Sequence, residues 1–313
     1  MRTPRLLLTL CLVSALNFAL AADAPEAKAK AKAKAAPPAQ QPLPAGVTAL
    51  RDVAYVTGGH ERQKLDLYLP ADAEDLPLVV WIHGGGWQNG SKDRSPALML
   101  LSKGYAVASL NYRLSSHAVF PAQIEDCKAA IRWLRANAKE HGYAADRIGV
   151  WGSSAGGHLV AMLGVTGDTR EFDRGENLAV SSGVQAVVNF FGPAELLTMG
   201  AQSPAGSRID HDAADSPEAK LVGGPLQENK DKARRASPIT YVSKGDAPTL
   251  IVHGDADPLV PLAQSEALLA AHQRVGAEAS LYVVKGGGHG GFQDPEVNVR
   301  VQAFFDRVLK SAR

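Results

Sequence analysis

Ser154 sits in Gly152-Ser153-Ser154-Ala155-Gly156, a G-x-S-x-G pattern at the junction of two different kinds of sequence. Before it, Ile148 to Trp151 is apolar enough for a buried strand, and after it a Gly/Ala/Leu-rich run suits a packed helix. A strand that turns directly into a helix forces the corner residue into a strained backbone conformation, and only very small neighbours leave room for it. The pattern therefore points to Ser154 as a nucleophile held out at the strand's C-terminal edge. The following helix turns its N-terminal amides and positive dipole end toward the same spot. Five residues of this kind also occur by chance, so the assignment depends on partners elsewhere in the chain.

A serine hydroxyl is a weak nucleophile at neutral pH and needs a base, which in turn needs a group to fix its tautomer. His289 lies in Lys285-Gly286-Gly287-Gly288-His289-Gly290-Gly291-Phe292, just past an apolar run. Asp257 lies in His253-Gly254-Asp255-Ala256-Asp257-Pro258, again after a buried strand pattern, with Asp255 its nearest competitor. His83 and His253, at strand ends, read as polar pins for their loops, and His158, one turn into the helix, faces away from the base position. Asp126 and Glu125 fall on a helical pattern, where a structural or solvated role is the default. No cluster has metal-ligand spacing, and the glycine runs match neither a P-loop nor a dinucleotide fingerprint, so no cofactor is implied.

The elements that must position these residues alternate. Lys64 to Leu69 has period two, as a half-exposed edge strand would, and Leu78 to Ile82 is continuously apolar, as a strand covered on both faces would be. The latter ends in His83-Gly84-Gly85-Gly86-Trp87, three glycines whose entropic cost suggests backbone that must approach something closely. An HGGG-type loop is also the second half of the oxyanion hole in G-x-S-x-G hydrolases. Further strands are predicted at Tyr105–Leu110, Ile148–Trp151, Val184–Phe191, Thr249–Val252 and Ser280–Val284. Helices are predicted around Ile124–Leu134, Leu262–Arg274 and Val297–Leu309, and a polar Pro/Gly-rich stretch at Thr198–Asp246 reads as a short lid-like insertion. Repeated βα units predict an α/β fold with a mostly parallel central sheet and helices on both faces. Ligands of such sheets gather beyond the C-terminal strand ends.

The 313 residues accommodate one large domain, with 45% hydrophobic and 21% charged residues. A formal net charge of +1 offers no electrostatic case for nucleic acid. Met1 to Arg5 carries two arginines, Leu6 to Leu20 is apolar, and Ala19-Leu20-Ala21 provides an A-x-A site, so residues 1–21 read as a signal peptide. The protein is then expected to be exported, periplasmic or secreted, with no stable membrane span after cleavage. Residues 22–46, with lysines alternating with alanine before Pro37-Pro38, read as a flexible tether, and 47–313 as the folded domain. Cys11 would leave with the signal, and Cys127 reads as a buried small apolar residue.

The order Ser154, Asp257, His289 is that of the α/β-hydrolases. Together with Asn111-Tyr112-Arg113-Leu114, Phe120-Pro121-Ala122-Gln123 and Ser237-Pro238-Ile239, it makes the chain resemble the esterase branch of that superfamily related to bacterial feruloyl and acetyl-xylan esterases. The hormone-sensitive-lipase-like branch shares HGGG, but it usually has an acidic residue where Ser153 stands and a larger N-terminal cap. The resemblance implies a serine carboxylic-ester hydrolase for short-chain or carbohydrate-linked esters, with Gly85, Gly86 and Ala155 forming the oxyanion hole. Trp87 either shapes the acyl pocket or is a packed loop aromatic. An amidase or peptidase, including a kynurenine-formamidase-like activity, would use the same residues. A non-catalytic binding module would be expected to carry a degenerate triad.

Overall fold

The apolar runs pair into a single eight-stranded sheet in a computed structural model that describes residues 41–71 and 74–310. The strands are β1 (Val47–Ala54), β2 (Lys64–Pro70), β3 (Leu76–Ile82), β4 (Ala106–Leu110), β5 (Tyr143–Ser153), β6 (Ala186–Phe190), β7 (Thr249–Gly254) and β8 (Ala279–Val284), in the order β1-β2-β4-β3-β5-β6-β7-β8. β1 and β2 pair antiparallel, β2 pairs antiparallel with β4, and every pair from β4 through β8 is parallel.

The sheet is covered on both faces because its strands are apolar at both parities. Leu78, Val80 and Ile82 of β3 enter one core with Ile124, Ile131 and Leu134, whereas Val79 and Trp81 enter the opposite one with Val301 and Phe305. The helices are α1 (Ala122–His141), α2 (Ala155–Val165), the short α3 (Met199–Gln202), α4 (Pro217–Val222) and α5 (Lys230–Arg235), then α6 (Leu262–Val275) and α7 (Glu296–Phe305). α1 buries Ile124, Cys127, Ile131 and Leu134 at helical spacing and stops where Gly142 takes a left-handed φ of 77°. α7 sits close to β5 because Gly149 has no side chain: a Cβ there would stand 2.8 Å from the Phe305 ring and 2.9 Å from Leu309.

One sequence expectation needs correction. β2 is not an edge strand, since β1 covers it, and its one charged interior residue, Asp66, is fully buried. Lys92 at 2.7 Å and Arg51 at 3.1 Å compensate that charge, so the period-two pattern reflected a buried ion cluster rather than solvent. The lid-like insertion is anchored by Leu221, Val222, Leu226 and Ala233 in the main core while His211 and Glu218 reach the cavity.

The expected signal peptide and residues 22–40 of the expected tether lie outside the described residues. Of residues 41–46, Gln41 accepts a hydrogen bond from the Ser95 amide, Leu43 packs against the second core, and the Gly46 carbonyl accepts from the Ala71 amide.

Candidate active site

β5 runs into α2 with a single residue between them, Ser154, at φ 55° and ψ −123°. A positive φ is costly for a residue with a side chain and persists only where its surroundings enforce it. Here the surroundings are backbone. A Cβ at Gly152 would collide with the Gly156 carbonyl, and one at Gly156 with the carbonyls of Ile82 and His83. The corner is held further by the Ser154 amide, which donates to the Phe190 carbonyl at 2.9 Å, and by the His158 amide, which donates to the Ser154 carbonyl at 2.9 Å.

β7 and β8 end beside each other, and the loops that follow cross at glycine. A Cβ at Gly254 would collide with the Gly287 carbonyl, which also accepts from the Ala256 amide at 2.9 Å. The crossing brings His289 Nδ1 to 2.7 Å from Asp257 Oδ2. An ionised carboxylate only accepts, so Nδ1 carries the proton and Nε2 is left as the basic nitrogen. The other oxygen, Oδ1, accepts from the amides of Leu259 and Val260 at 2.8 and 3.0 Å, and His253 Nε2 stands 3.3 Å from Oδ2. Burial alone would raise the Asp257 pKa, but these donors outweigh it and hold the carboxyl well below the usual range. Asp255 instead accepts from the Gly286 amide and pins that loop. His289 and Ser154 line the same cavity, with no hydrogen bond between them in this conformation.

The glycine loop after β3 is a tight turn in which the amides of Gln88 and Asn89 both donate to the Gly85 carbonyl. Gly85, Gly86 and Trp87 all have positive φ, at 110°, 57° and 56°. Ala155 opens α2, where first-turn amides lack an intrahelical acceptor. Among the described residues, the N–H groups of Gly85, Gly86 and Ala155 have no acceptor outside regular secondary structure. His83 is the pin expected: it hydrogen-bonds the Gly84 carbonyl through Nδ1 at 2.7 Å and accepts from Arg62 at 3.1 Å, and burial lowers it to about 4. Tyr112 donates to the His83 carbonyl, and Arg113 holds Asp126 at 2.7 Å. Trp87 borders the cavity but is 1% exposed, with its indole N–H donated to His158 Nδ1 at 3.2 Å.

The cavity holds about 730 Å³ and opens beyond the C-terminal strand ends. One wall is aromatic: Trp81 and Trp151 meet edge to face at 5.6 Å, Trp151 stands 5.3 Å from Phe190, and Phe190 stands 6.1 Å from Phe292. Phe191, at φ 41°, lies 4.5 Å from the His289 ring. The insertion contributes His211 and Glu218. Burial lowers the His211 pKa, yet the adjacent carboxylate raises it overall. Sequence inspection missed Phe190, Phe191, His211 and Glu218, because no local motif marks residues that meet only through the fold. Trp151 alone had a signal, its place three residues before the nucleophile.

A family model described as BD-FAE matches residues 65–271. Among curated proteins, the chain is similar to "Esterase LipQ" of Mycobacterium tuberculosis, with 30% identity over 77% of this chain and 56% of that protein. The chain spans between about half and two thirds of the length of the curated relatives it matches. Among solved structures, a truncated carbohydrate esterase from gut microbiota is 35% identical with a TM-score of 0.77, covering 84% of this chain and 96% of that one. Esterase B from Lactobacillus Rhamnosis is 26% identical with a TM-score of 0.70, covering 87% and 89%.

Proposed function

This chain belongs to the BD-FAE family of the α/β-hydrolase superfamily, and from that premise we propose that it is a serine carboxylic-ester hydrolase acting through an acyl-enzyme. The observation that carries the reading is one cavity lined by a strained serine, a histidine oriented by a buried aspartate, and the glycine turn. In the proposed sequence, His289 Nε2 takes the Ser154 proton as Oγ attacks the ester carbonyl. Asp257 keeps the imidazole in the required tautomer and stabilises its charged form. The amides of Gly85, Gly86 and Ala155 receive the oxyanion, each such donor being worth about 3 kcal/mol of barrier. His289 then protonates the leaving alcohol, and water repeats the cycle to release the acid.

The proposed substrates are short-chain or carbohydrate-linked acetyl or feruloyl esters. The aromatic wall suits a planar or small acyl group, and the structural neighbour named as a carbohydrate esterase favours a saccharide alcohol. Hydrolysis of p-nitrophenyl esters from acetate to decanoate, with Ser154→Ala as control, tests the reading. Turnover falling steeply beyond short chains, and lower by about 10⁴-fold or more in the variant, is expected. Equal turnover by both proteins would sink it. Matched anilides distinguish an amidase, which would turn them over measurably and lose that turnover in Ser154→Ala, whereas an esterase would leave them intact. We also propose export with cleavage after Ala21, to be checked by the N-terminal sequence of the protein recovered outside the cytoplasm.

A further inference from the structure

Two buried polar residues of the insertion face the cavity with no role in the acyl-transfer chemistry. Glu218, in the first turn of α4, is 3% exposed, and His211 is 1% exposed. Both line the cavity. His211 Nε2 hydrogen-bonds the Leu259 carbonyl at 3.0 Å, which ties it to the loop carrying Asp257. Its Nδ1 stands 3.1 Å from Glu218 Oε2, a buried ion-pair contact, and neither of these two atoms has any other polar partner. One ion-pair contact fills only part of a carboxylate's acceptor capacity, and burial makes the unfilled remainder costly unless something else supplies a donor. The position is adjacent to the chemistry, because Pro217 packs within 3.3 Å of where a Gly86 side chain would begin.

We propose that Glu218, positioned by His211, is a specificity-determining residue that accepts a hydrogen bond from a hydroxyl group of the ester substrate. The inference rests on the esterase reading and sharpens it to hydroxylated esters. Another part of the lining is aromatic, and the second carboxylate of the lining, Asp294, already accepts from the Tyr282 hydroxyl and the Glu296 amide. The cavity therefore joins an apolar surface to the Glu218 acceptor, a pairing suited to a substrate with both an apolar face and a hydroxyl. A buried polar group left unpaired penalises an analogue lacking the hydroxyl more strongly than a missing methylene does. That asymmetry is the source of the expected selectivity.

The hydroxyl lies in either the alcohol or the acyl part, and two substrate pairs separate these sources. Mono-acetylated methyl xyloside is compared with cyclohexyl acetate, and methyl 4-hydroxycinnamate with methyl cinnamate. Each is assayed with wild type, Glu218→Gln and Glu218→Asp, and normalised to active sites titrated with a serine-reactive organophosphorus probe. Wild type should prefer the hydroxylated member of one pair by at least about tenfold in kcat/KM. Both variants should reduce that preference toward unity, chiefly through KM. The pair showing the effect identifies which part of the substrate is read. No preference in wild type for either pair, or a preference unaltered in a variant that titrates normally, overturns the proposal. Should neither variant fold, His211→Asn, which keeps Glu218 and removes the contact that positions it, is expected to lower the preference in the same way, and an unaltered preference in it overturns the proposal. Failure of the esterase reading looks different, as none of the four esters would then be hydrolysed.

Discussion

Ser154, His289 and Asp257 differ in how far their chemistry depends on neighbours. The position of the serine is set by the glycines beside it, whereas His289, the proposed base, is oriented by the carboxylate 2.7 Å away and that carboxylate is held by four surrounding groups. Asp257→Asn keeps the size but can turn an amide N–H toward His289 and so stabilise the wrong tautomer. Its kcat is expected to fall by about 10³–10⁴-fold with little change in KM, measured on p-nitrophenyl acetate. The same substitution has a signature in stability. The Asp257 carboxyl titrates below the roughly 3.9 of an unfolded chain, so its contribution is present above that value and is lost as pH falls through the folded one. The gap in unfolding midpoint between wild type and variant should therefore narrow from pH 7 toward pH 3, and a gap that widens would contradict the depressed value. At this scale the sequence was informative wherever glycine surrounded a reactive group. It was silent for Glu218 and Phe191, whose neighbours Pro217 and Phe190 are ordinary in any loop or strand.

The β5–α2 elbow shows how an element can be limited by space rather than propensity. α2 contains Gly156, Gly157 and Gly164, each about 1 kcal/mol poorer than alanine in a free helix. Substituting them would nevertheless not stabilise it, because each position abuts another segment. Gly156→Ala drives a Cβ into the carbonyls of Ile82 and His83, which are backbone and cannot rotate away. Destabilisation of about 1–3 kcal/mol or more is expected in urea unfolding, with activity falling further because β3 carries the glycine turn. An unchanged midpoint would show that the strand end and helix are looser than drawn. The same crowding explains which elements could be read in advance. Strands buried on both faces were legible where they run apolar, as at Leu78–Ile82, Ala106–Leu110 and Ile148–Trp151, whereas the first half of β5 was not read because Asp146 and Arg147 interrupt it. β1 was not, because VTALRDVA is mixed and only partly buried. The four- and six-residue helices of the insertion are too short to display a helical period.

Across the whole molecule, the cavity depends on loops following β3, β5, β6, β7 and β8 together with the insertion, so its walls could not be derived from any one stretch even though a mostly parallel α/β sheet could be anticipated. What unites those parts is two cores packed on opposite faces of one sheet, and Cys127 reports on the larger one. Its thiol is fully buried between α1 and the sheet, with its pKa driven well up by burial. A thiol reagent attacks the thiolate, so both access and ionisation must wait for opening. In a Cys11→Ser variant, Cys127 is the single thiol of the chain. Labelling by a chromogenic disulfide should then be negligible under native conditions, complete in denaturant, and at intermediate urea should follow the loss of near-ultraviolet circular dichroism. Because α1 contributes to the same core as α2, loss of esterase activity should coincide with labelling if the domain unfolds as one unit. Labelling that precedes inactivation would show instead that α1 detaches while the elbow and its serine remain in place, dividing the core into separately unfolding parts.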